Sequence, residues 1–410
     1  MQHTDVLIVG AGHSGVALVA ELVQQGFPGT VLLVNEEEVT PYHRPPLSKA
    51  WLSGLVPFED ITLQIERFAS HEGLTILTGT SVVRLEPSTH EVVTSTGDRW
   101  SFGIAVIATG AAARSLPGLR EEHNPHVHRM RDLADAAVLK ERMQSGGSLG
   151  IVGAGLVGLE VAATARRLGC RTHIFARSDR ILGRSVSAPI AAHLQSRHES
   201  EGVRFTFGAE PLGVVPGDGG PVLVTGGEHH RFDDILVAVG SEPRDLLAVR
   251  AGIETAQGVL VDERRQTSVA DVYCIGDAAR LRRPTNGTPD RLESVHGAND
   301  DAKIVAAQIL GNVPAAPAVP WFWSDQYDVR LQVAGFRSKS TCAVVRGAEA
   351  EDEFAVVHTA GERVVCVEAV NSAVDFAVGR RLIATGARMD LALLATAESL
   401  LDAVCEEEPE

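Results

Sequence analysis

Two glycine-rich turns of identical spacing, at residues 10–15 and 153–158, are the strongest chemical signal in the sequence. In a G-x-G-x-x-G turn the first glycine allows a tight bend and the second lets the backbone approach a phosphate. The third lets a helix pack closely against a strand. The free N–H groups at the start of that helix attract a negatively charged pyrophosphate. Two dinucleotide sites are therefore predicted, lined by Gly10, Gly12, His13, Ser14, Gly15, Gly153, Gly155, Leu156, Val157 and Gly158.

The residues after the second strand of each unit distinguish the two sites. After the first turn, the apolar run 31–34 ends in Asn35-Glu36. A carboxylate there accepts hydrogen bonds from the hydroxyls of an adenosine ribose, so Glu36 is the candidate, with Glu37 as the alternative register. A solvated glutamate in an acidic loop is the competing interpretation.

After the second turn, no acid stands at the corresponding position, because the strand 172–175 runs into Ala176-Arg177. A guanidinium pairs with a 2′-phosphate through two parallel hydrogen bonds, so Arg177, assisted by Arg180 and Arg184, suits NADPH. An arginine lying over the adenine without a phosphate partner suits NADH equally well. The choice between the two cofactors stays open at this point.

Apolar runs and helical periodicity place both turns between a strand and a helix. The first unit is predicted as strand 6–9, helix 15–25 and strand 31–34, and the second as strand 148–152, helix 159–168 and strand 172–175. A further strand, 272–275, ends in Gly276-Asp277. The last 85 residues or so have alternating β-like runs at 329–334, 342–345, 354–358 and 364–370, then a helix at 374–385. This pattern predicts an α/β protein with two Rossmann-like dinucleotide-binding domains and a C-terminal α+β domain.

The bulk composition limits the partners. The net charge of −16 disfavours nucleic acid and anionic membranes as main partners. The five cysteines show neither a Cys-x-x-Cys pair nor zinc spacing, so no metal site is expected. We expect the cysteines to be buried structural thiols. No secretory signal and no apolar stretch of membrane-spanning length is visible, which predicts a cytoplasmic protein.

Four motifs carry a resemblance to a known family beyond the glycine turn at 10–15. They are Arg-Pro-Pro-Leu-Ser-Lys at 44–49, Ala-Thr-Gly at 108–110, the run 271–277 and Trp-Phe-Trp-Ser-Asp-Gln at 321–326. With these motifs the sequence resembles the FAD-dependent ferredoxin reductases of bacterial oxygenase systems along essentially its whole length. The resemblance implies a glutathione-reductase-like flavoprotein. Its FAD domain would comprise 1–113 and 242–325, its NAD(P) domain 114–241 and its C-terminal interface domain 326–410.

The resemblance also implies a set of cofactor contacts. Lys49 is expected near the flavin N5 edge, Glu160 beside the nicotinamide, and the two are predicted to pair across the domain boundary as the catalytic residues. A cation near a flavin favours its reduced form. The other residues assigned to the cofactors are Arg44, Val82, Ala108, Thr109, Gly110, Arg131, Asp277, Glu293, Ser294, Val295, Trp323 and Gly240.

The implied reaction is a hydride transfer from NADH or NADPH to FAD N5, followed by single-electron transfer to a [2Fe–2S] ferredoxin. A rubredoxin-like carrier is also compatible, and the carrier would serve a cytochrome P450 or a Rieske oxygenase. Related disulfide reductases have a cysteine pair after the first unit, whereas this chain has no cysteine before Cys170, which excludes thiol–disulfide chemistry. The alternatives are an NAD(P)H oxidase or quinone reductase, and a redox-gated binding protein similar to apoptosis-inducing factor.

Ferredoxins of this kind are usually acidic, as this chain is, so docking would need a local basic patch. Arginine suits interface ion pairs. The candidates are Arg282, Arg283, Arg291, Arg330 and Arg337. Scattered solvated charges are an equally good interpretation, and either a monomer or a homodimer is compatible with the sequence.

Overall fold

The computed structural model describes residues 1–68, 71–116, 124–183, 185–282, 291–338 and 341–405. The chain folds into two compact units, each built from three segments. Unit 1 contains Met1–His43, Phe58–Ala112 and Ser241–Ala318, and unit 2 contains Arg44–Pro57, Ala113–Gly240 and Val319–Glu410. Among the described residues, no helix has both the length and the apolar character needed to cross a membrane.

Unit 1 is organised around one sheet with the strand order β3-β2-β1-β6-β5-β4, and β18 pairs with β6. β1, β2, β3, β6 and β18 run parallel, whereas β5 pairs antiparallel with β4 and β6. The strands are β1 (Gln2–Val9), β2 (Val31–Val34), β3 (Leu74–Leu77), β4 (Val82–Glu86), β5 (Glu91–Thr94), β6 (Arg99–Ile107) and β18 (Val272–Cys274).

Two helices, α1 (His13–Gln24) and α6 (Val295–Ile309), pack on one face of this sheet. All four residues of β2 are buried, as expected for a parallel strand covered on both faces. Smaller elements complete the unit: β17 (Val259–Val261), which pairs with β19 (Ala279–Leu281), and α5 (Leu246–Arg250). The short strands β7 (Ala111–Ala113) and β16 (Ser241–Pro243) lie where the chain passes between units.

Unit 2 contains a second parallel sheet, with the order β11-β10-β9-β15-β8. Its strands are β8 (Val127–His128), β9 (Ser148–Val152), β10 (Arg171–Ala176), β11 (Arg204–Phe207) and β15 (Asp234–Val237). The helices that accompany it are α2 (Leu133–Gln144), α3 (Leu156–Arg167) and α4 (Ala188–Ser200). A separate antiparallel sheet is formed by β12 (Pro211–Gly217), β13 (Gly220–Thr225) and β14 (Glu228–Arg231).

The C-terminal part of unit 2 is an antiparallel sheet with the order β20-β21-β24-β23-β22, followed by helix α7 (Ala373–Thr385). Its strands are β20 (Trp321–Gln326), β21 (Val329–Gly335), β22 (Cys342–Ala348), β23 (Glu353–Ala360) and β24 (Arg363–Val370). Side chains of this sheet and of α3 and α4 share one buried apolar cluster. The sheet therefore packs directly on the second nucleotide-binding fold.

The predicted fold class and strand–turn–helix order are confirmed. Two details differ. Both helices begin earlier than predicted, at His13 and Leu156, because the second glycine of each turn is already the helix cap. The predicted domain boundary at 325/326 falls inside β20, and the segment Arg44–Pro57, assigned to the FAD domain, packs with unit 2. The three-domain division itself stays a prediction.

Candidate active site

The first glycine turn forms an open cradle between β1 and α1. Gly10 has a φ of +111°, and a Cβ atom there would collide with the carbonyl oxygen of Ala108. A Cβ at Gly15 would collide with the carbonyl oxygen of Gly10, whereas nothing lies within 4 Å of the same atom at Gly12. Gly12 caps α1 without a side-chain hydrogen bond, so the first N–H groups of the helix point into the open space. This cradle fits a pyrophosphate.

The second glycine turn, between β9 and α3, has the same geometry. Gly153 has a φ of +114°, and a Cβ there would collide with the carbonyl oxygen of Ala238. A Cβ at Gly158 would collide with the carbonyl oxygen of Gly153, and the position of Gly155 is again open. Gly240, two residues past Ala238, has a φ of +106° and lies just beyond the end of β15. The residues present therefore fit two dinucleotides.

Asp277 lies on the turn after β18, and this turn meets the first cradle. A Cβ at Gly276 would lie 2.7 Å from Ser14 Oγ, so the turn and the start of α1 are in close contact. The Gly276 N–H donates to Asp301 Oδ2 at 2.9 Å, and Arg265 Nε donates to Asp301 Oδ1 at 2.6 Å. Burial raises the pKa of Asp301, and the Arg265 cation opposes that shift. This buried pair, which the sequence did not reveal, fixes the turn that carries Asp277.

Glu36 lies at the carboxyl end of β2, as predicted, and its side chain is exposed. Arg244 Nη1 donates to Glu36 Oε2 at 2.5 Å. The Arg244 N–H donates to the Gly110 carbonyl at 2.9 Å, and Thr109 Oγ1 donates to the Arg244 carbonyl at 2.7 Å. Arg244 therefore connects three predicted FAD residues. The register alternative, Glu37, accepts a hydrogen bond from Tyr42 at 2.5 Å.

Other residues assigned to FAD lie at the ends of elements of unit 1. His13 Nε2 and His43 Nδ1 are 3.1 Å apart, and burial lowers the pKa of His43. Ser294 caps α6 by accepting a hydrogen bond from the Gly297 N–H at 3.0 Å. The remaining positions are Val82 at the start of β4, Val295 as the first residue of α6, and Glu293, which bonds to Arg291 and Ser241.

Two predicted flavin residues contact each other in unit 2. Arg44 Nη1 donates to the Arg131 carbonyl at 2.9 Å. The Arg131 N–H in turn donates to Asp135 Oδ2 at 3.0 Å, near the start of α2. The segment that carries Arg44 is thus attached to the segment that carries Arg131.

Lys49 and Glu160 form an ion pair, as predicted. Lys49 Nζ lies 2.7 Å from Glu160 Oε2, and only 6% of the Glu160 side chain is exposed. Ser48 donates to Glu160 Oε2 at 2.5 Å and Ser324 donates to Oε1 at 2.6 Å, so both carboxylate oxygens are satisfied. Residues 44–57 pack within the unit that contains α3, so the pair lies inside one compact unit. The domain division that would place the pair at a boundary stays a prediction. Neither serine was identified from the sequence as a partner of Glu160.

Trp323 lies on β20, paired with Gln332 of β21. Its ring is 5.5 Å from that of Trp321. Because successive side chains of a strand point to opposite faces, Trp323 and Ser324 lie on opposite sides of the sheet. Ser324 faces Glu160, and Trp323 lies on the other face with Trp321.

The arginines proposed for a 2′-phosphate have different surroundings. Arg177 is exposed directly after β10. Arg180 donates to the carbonyls of Gly183 at 2.9 Å and Val186 at 3.2 Å, which ties it to its own loop. Arg184 lies outside the described residues. Arg177 is therefore the arginine best placed to meet a bound nucleotide.

The four described arginines of the predicted basic patch all have acidic partners. Arg282 pairs with Glu254 at 2.5 Å, Arg330 with Asp325 at 3.5 Å and Arg337 with Glu368 at 3.3 Å, and Arg291 pairs with Glu293. Arg283 lies outside the described residues. Each of the four described positive charges thus has a carboxylate nearby, and the basic docking patch stays a prediction.

The cysteines agree only in part with the expectation of buried thiols, since Cys342 is exposed. Strand pairing brings His358, Cys366 and Glu368 together, with their ligand atoms within 4.8 Å of one another. Both Glu368 oxygens already accept the Ser187 N–H, at 2.9 and 3.0 Å, and Arg337 lies beside them. Burial also raises the pKa of the Cys366 thiol. Glu368 therefore holds Ser187, the residue that caps the start of α4.

Comparison with known proteins assigns both parts of the chain to families. Residues 4–302 match the family described as pyridine nucleotide-disulphide oxidoreductase. Residues 321–404 match the family described as reductase C-terminal. The second match begins close to Ala318, after which the chain returns to unit 2.

Full-length relatives resemble the whole chain. The ferredoxin reductase subunit of 5,5′-dehydrodivanillate O-demethylase from Sphingobium sp. is 36% identical, with 98% of each chain covered. Putidaredoxin reductase in its covalent complex with putidaredoxin superposes with a TM-score of 0.92 at 29% identity, covering 98% of this chain and 99% of that chain. The ferredoxin reductase of the CYP199A2 system of Rhodopseudomonas palustris superposes with a TM-score of 0.92 at 31% identity, covering 98% and 100%.

Proposed function

Because this chain belongs to the pyridine nucleotide-disulphide oxidoreductase family, we propose that it is an FAD-dependent ferredoxin–NAD(P)⁺ reductase. In this proposal its electrons go to a [2Fe–2S] ferredoxin that serves a cytochrome P450 or a Rieske oxygenase. Relatives that cover nearly the whole chain include the ferredoxin reductase subunit of an O-demethylase, putidaredoxin reductase and the ferredoxin reductase of the CYP199A2 system, which supports this choice of acceptor.

One observation carries the proposal: the chain keeps both nucleotide cradles of its family but has no cysteine before Cys170. A disulfide reductase passes electrons from its flavin to a cysteine pair, and this chain offers none in that region. The electrons must therefore leave to an external acceptor. When bound, FAD accepts a hydride from NAD(P)H and releases the two electrons one at a time, as a one-electron carrier requires.

The protein's own contribution is to bind and orient the reactants. The cradle at Gly10–Gly15 would hold the FAD pyrophosphate, with Glu36 on the ribose and Asp277 on the ribityl chain. The cradle at Gly153–Gly158 would hold NAD(P)H. An enzyme that holds the nicotinamide and the flavin in the reactive orientation replaces a random encounter between them by an oriented one. This is the main catalytic effect available without a nucleophile.

Lys49 and Glu160 would act at the nicotinamide and flavin. A lysine cation stabilises the negative charge that a flavin gains on reduction. The Glu160 carboxylate, two residues past the last glycine of the second cradle, holds that cation at 2.7 Å. We assign Lys49 the electrostatic role and Glu160 the task of keeping the ammonium in place.

The acceptor is tested by anaerobic stopped-flow mixing with NADH and NADPH, then with a panel of ferredoxins and a rubredoxin. Rapid flavin bleaching and fast reduction of one carrier protein are expected. Rapid consumption of O₂ or quinone without a carrier would favour the oxidase or quinone reductase alternative. A slow turnover with a long-lived flavin–nicotinamide complex would instead indicate the redox-gated binding protein.

A cytoplasmic location is part of the same proposal, since both NAD(P)H and the ferredoxins of such systems are intracellular reactants. Cell fractionation of the source organism checks it.

Sedimentation of the purified holoprotein distinguishes the monomer from the homodimer. Protein that purified colourless and took up no flavin would contradict the proposal at its first step.

A further inference from the structure

A line of buried polar side chains runs from Glu160 through the C-terminal sheet to helix α4. Ser324 Oγ donates to Glu160 Oε1 at 2.6 Å, and Gln326 Nε2 donates to Ser324 Oγ at 3.0 Å. His198 Nε2 lies 2.8 Å from Gln326 Oε1, and Tyr327 OH lies 3.1 Å from His198 Nδ1. These five side chains come from α3, β20, the β20–β21 turn and α4, and all belong to unit 2.

In every hydrogen bond of this line, the donor is the residue farther from Glu160. The amide oxygen of Gln326 can only accept, so His198 carries its proton on Nε2 and accepts the Tyr327 hydroxyl at Nδ1. Burial lowers the pKa of His198 to about 4, so the ring is neutral near pH 7 and has one donor and one acceptor. Each member thus donates toward Glu160, and the line ends at the carboxylate.

The three central side chains of the line are fully buried. Relative exposure is 0% for Ser324 and His198 and 1% for Gln326. In such an interior a donor or acceptor that loses its partner cannot turn to water, so rearranging one member leaves another unsatisfied. The direction of the Ser324 hydroxyl is therefore determined by Gln326 and His198.

The other side of the carboxylate determines where Lys49 lies. Lys49 Nζ contacts Glu160 Oε2 at 2.7 Å and donates to the Pro45 carbonyl at 3.0 Å. Thr164 Oγ1 donates to the Ser48 carbonyl at 2.9 Å, which attaches the same segment to α3. A carboxylate that turned away from its present orientation would release the ammonium from its strongest partner.

We propose that His198, Gln326 and Ser324 are positioning residues that hold the Glu160 carboxylate, and through it the Lys49 ammonium, in the arrangement used for hydride transfer. The proposal rests on the role assigned to Lys49 and Glu160 in the proposed function. It adds that a helix far along the chain, through one imidazole, maintains the charge pair beside the nicotinamide.

The small number of lysines makes Lys49 measurable by itself. The sequence has four lysines, of which Lys303 lies in the other unit and is a suitable internal standard. The holoprotein is acetylated briefly with an acetyl donor, and modification of Lys49 relative to Lys303 is measured by mass spectrometry. In His198→Leu and Gln326→Leu, Lys49 loses part of its ion-pair shielding and should react about fivefold faster than in the wild type.

Kinetics supply the second readout. In the same variants the limiting rate of flavin reduction by NADH should fall about fivefold, while the KM for NADH stays within about twofold, since the nucleotide cradle is untouched. His198→Gln retains an amide N–H that donates to Gln326. In this variant the reactivity of Lys49 and the limiting rate of flavin reduction should therefore both be close to wild type. If a leucine variant fails to fold, Ser324→Ala removes only the last hydroxyl of the line and serves as the test.

The matched control is His193→Leu. His193 lies on the same helix and packs on the same sheet, with Nε2 3.1 Å from Asp352 and its ring 5.0 Å from Phe354, but it does not join the line. Wild-type Lys49 reactivity and rate in this control support the proposal, whereas changes equal to those of His198→Leu would mean that helix docking alone matters. Unchanged Lys49 reactivity in His198→Leu would overturn the proposal. The acetylation readout does not depend on any acceptor, so it separates this failure from that of the proposed function.

Discussion

The two glycine cradles share one backbone and differ in their charges. The first glycines have φ values of +111° and +114°, and each faces the carbonyl oxygen of the residue just after a neighbouring strand. Two residues past the last glycine, however, the first copy has Ala17 and the second has the buried Glu160. Just beyond the strand that follows, the first copy has the acid Glu36 and the second has Arg177. The backbone thus fits a pyrophosphate in both cradles, and the cradles differ in the few side chains around it.

The largest expected effect comes from filling one cradle at a time. Gly10→Ala brings backbone strain and a collision with the Ala108 carbonyl, and relieving them distorts the cradle. We expect flavin binding to weaken roughly thousandfold, equivalent to about 4 kcal/mol. The purified variant should be colourless, as judged by the ratio of flavin to protein absorbance. Gly153→Ala is the matched change and should remain yellow but be reduced poorly by NAD(P)H. If both variants lost flavin equally, the assignment of one nucleotide to each cradle would be wrong.

Lowering the pH should destabilise unit 2, which contains the second cradle, before it destabilises unit 1. The pKa of His198 falls from 6.5 to about 4 on folding, so its protonation favours the unfolded chain. The stability it contributes is complete above pH 6.5 and is lost as the pH falls toward 4. At 1.4 kcal/mol per pH unit this loss is roughly 3 kcal/mol. Hydrogen exchange at pH 7 and pH 4.5 should show unit 2 opening more than unit 1.

His198→Gln, which does not titrate, is the control for this acid effect. It should reduce the difference in exchange between the two units. Equal opening of both units in the wild type, or the same acid sensitivity in the variant, would show that other groups dominate.

The Lys49–Glu160 ion pair should affect the rate of flavin reduction more than the binding of the nucleotide. Lys49→Met leaves the ionised Glu160 buried without its cation, and we expect the flavin to be reduced about tenfold more slowly by NADH, equivalent to about 1.4 kcal/mol in the barrier. The double variant Lys49→Met/Glu160→Gln should recover the thermal unfolding midpoint but not the rate, because a buried unpaired charge destabilises whereas a neutral pair does not. An unchanged reduction rate in Lys49→Met would remove this lysine from the mechanism.

The smallest effect is expected at the exposed end of the second cradle. If Arg177 contacts a 2′-phosphate, Arg177→Ala should raise the KM for NADPH about fivefold, equivalent to about 1 kcal/mol, and change the KM for NADH less than about twofold. Steady-state assays with both donors measure this directly. A strong NADH preference in the wild type would instead assign Arg177 to the adenine or to solvent.

What the sequence could predict was mostly local. Glycine spacing and apolar runs indicated both cradles and the strands that flank each turn, since a turn and its flanking elements lie within about 30 residues of one another. They also indicated β18, whereas β3–β6, β8, β11 and β15 of the two parallel sheets were not predicted. The C-terminal sheet was also indicated by its alternating runs. β20 was not recognised as a strand, because Trp321–Trp323 reads as a short apolar cluster rather than as an alternating run.

The contacts that complete the site were not local. Arg244 reaches Glu36 across 208 positions and Ser324 reaches Glu160 across 164 positions. Serine, glutamine and histidine occur throughout soluble proteins, so nothing in their local pattern marks them as members of a buried line. The Lys49–Glu160 pair was foreseen only through the resemblance to a family. Periodicity contains no information about which side chains meet once distant segments have packed.

The short segment Arg44–Pro57 matters for anyone who recombines this reductase with its relatives. The polypeptide passes from one unit to the other five times, and this segment belongs with α3 although both of its flanks belong elsewhere. A chimaera that exchanged only residues 113–240, in order to transfer cofactor preference, would combine Glu160 from one parent with Ser48, Lys49 and Ser324 from another. A workable crossover has to move residues 44–57 and the beginning of the C-terminal sheet together with the nucleotide-binding insert.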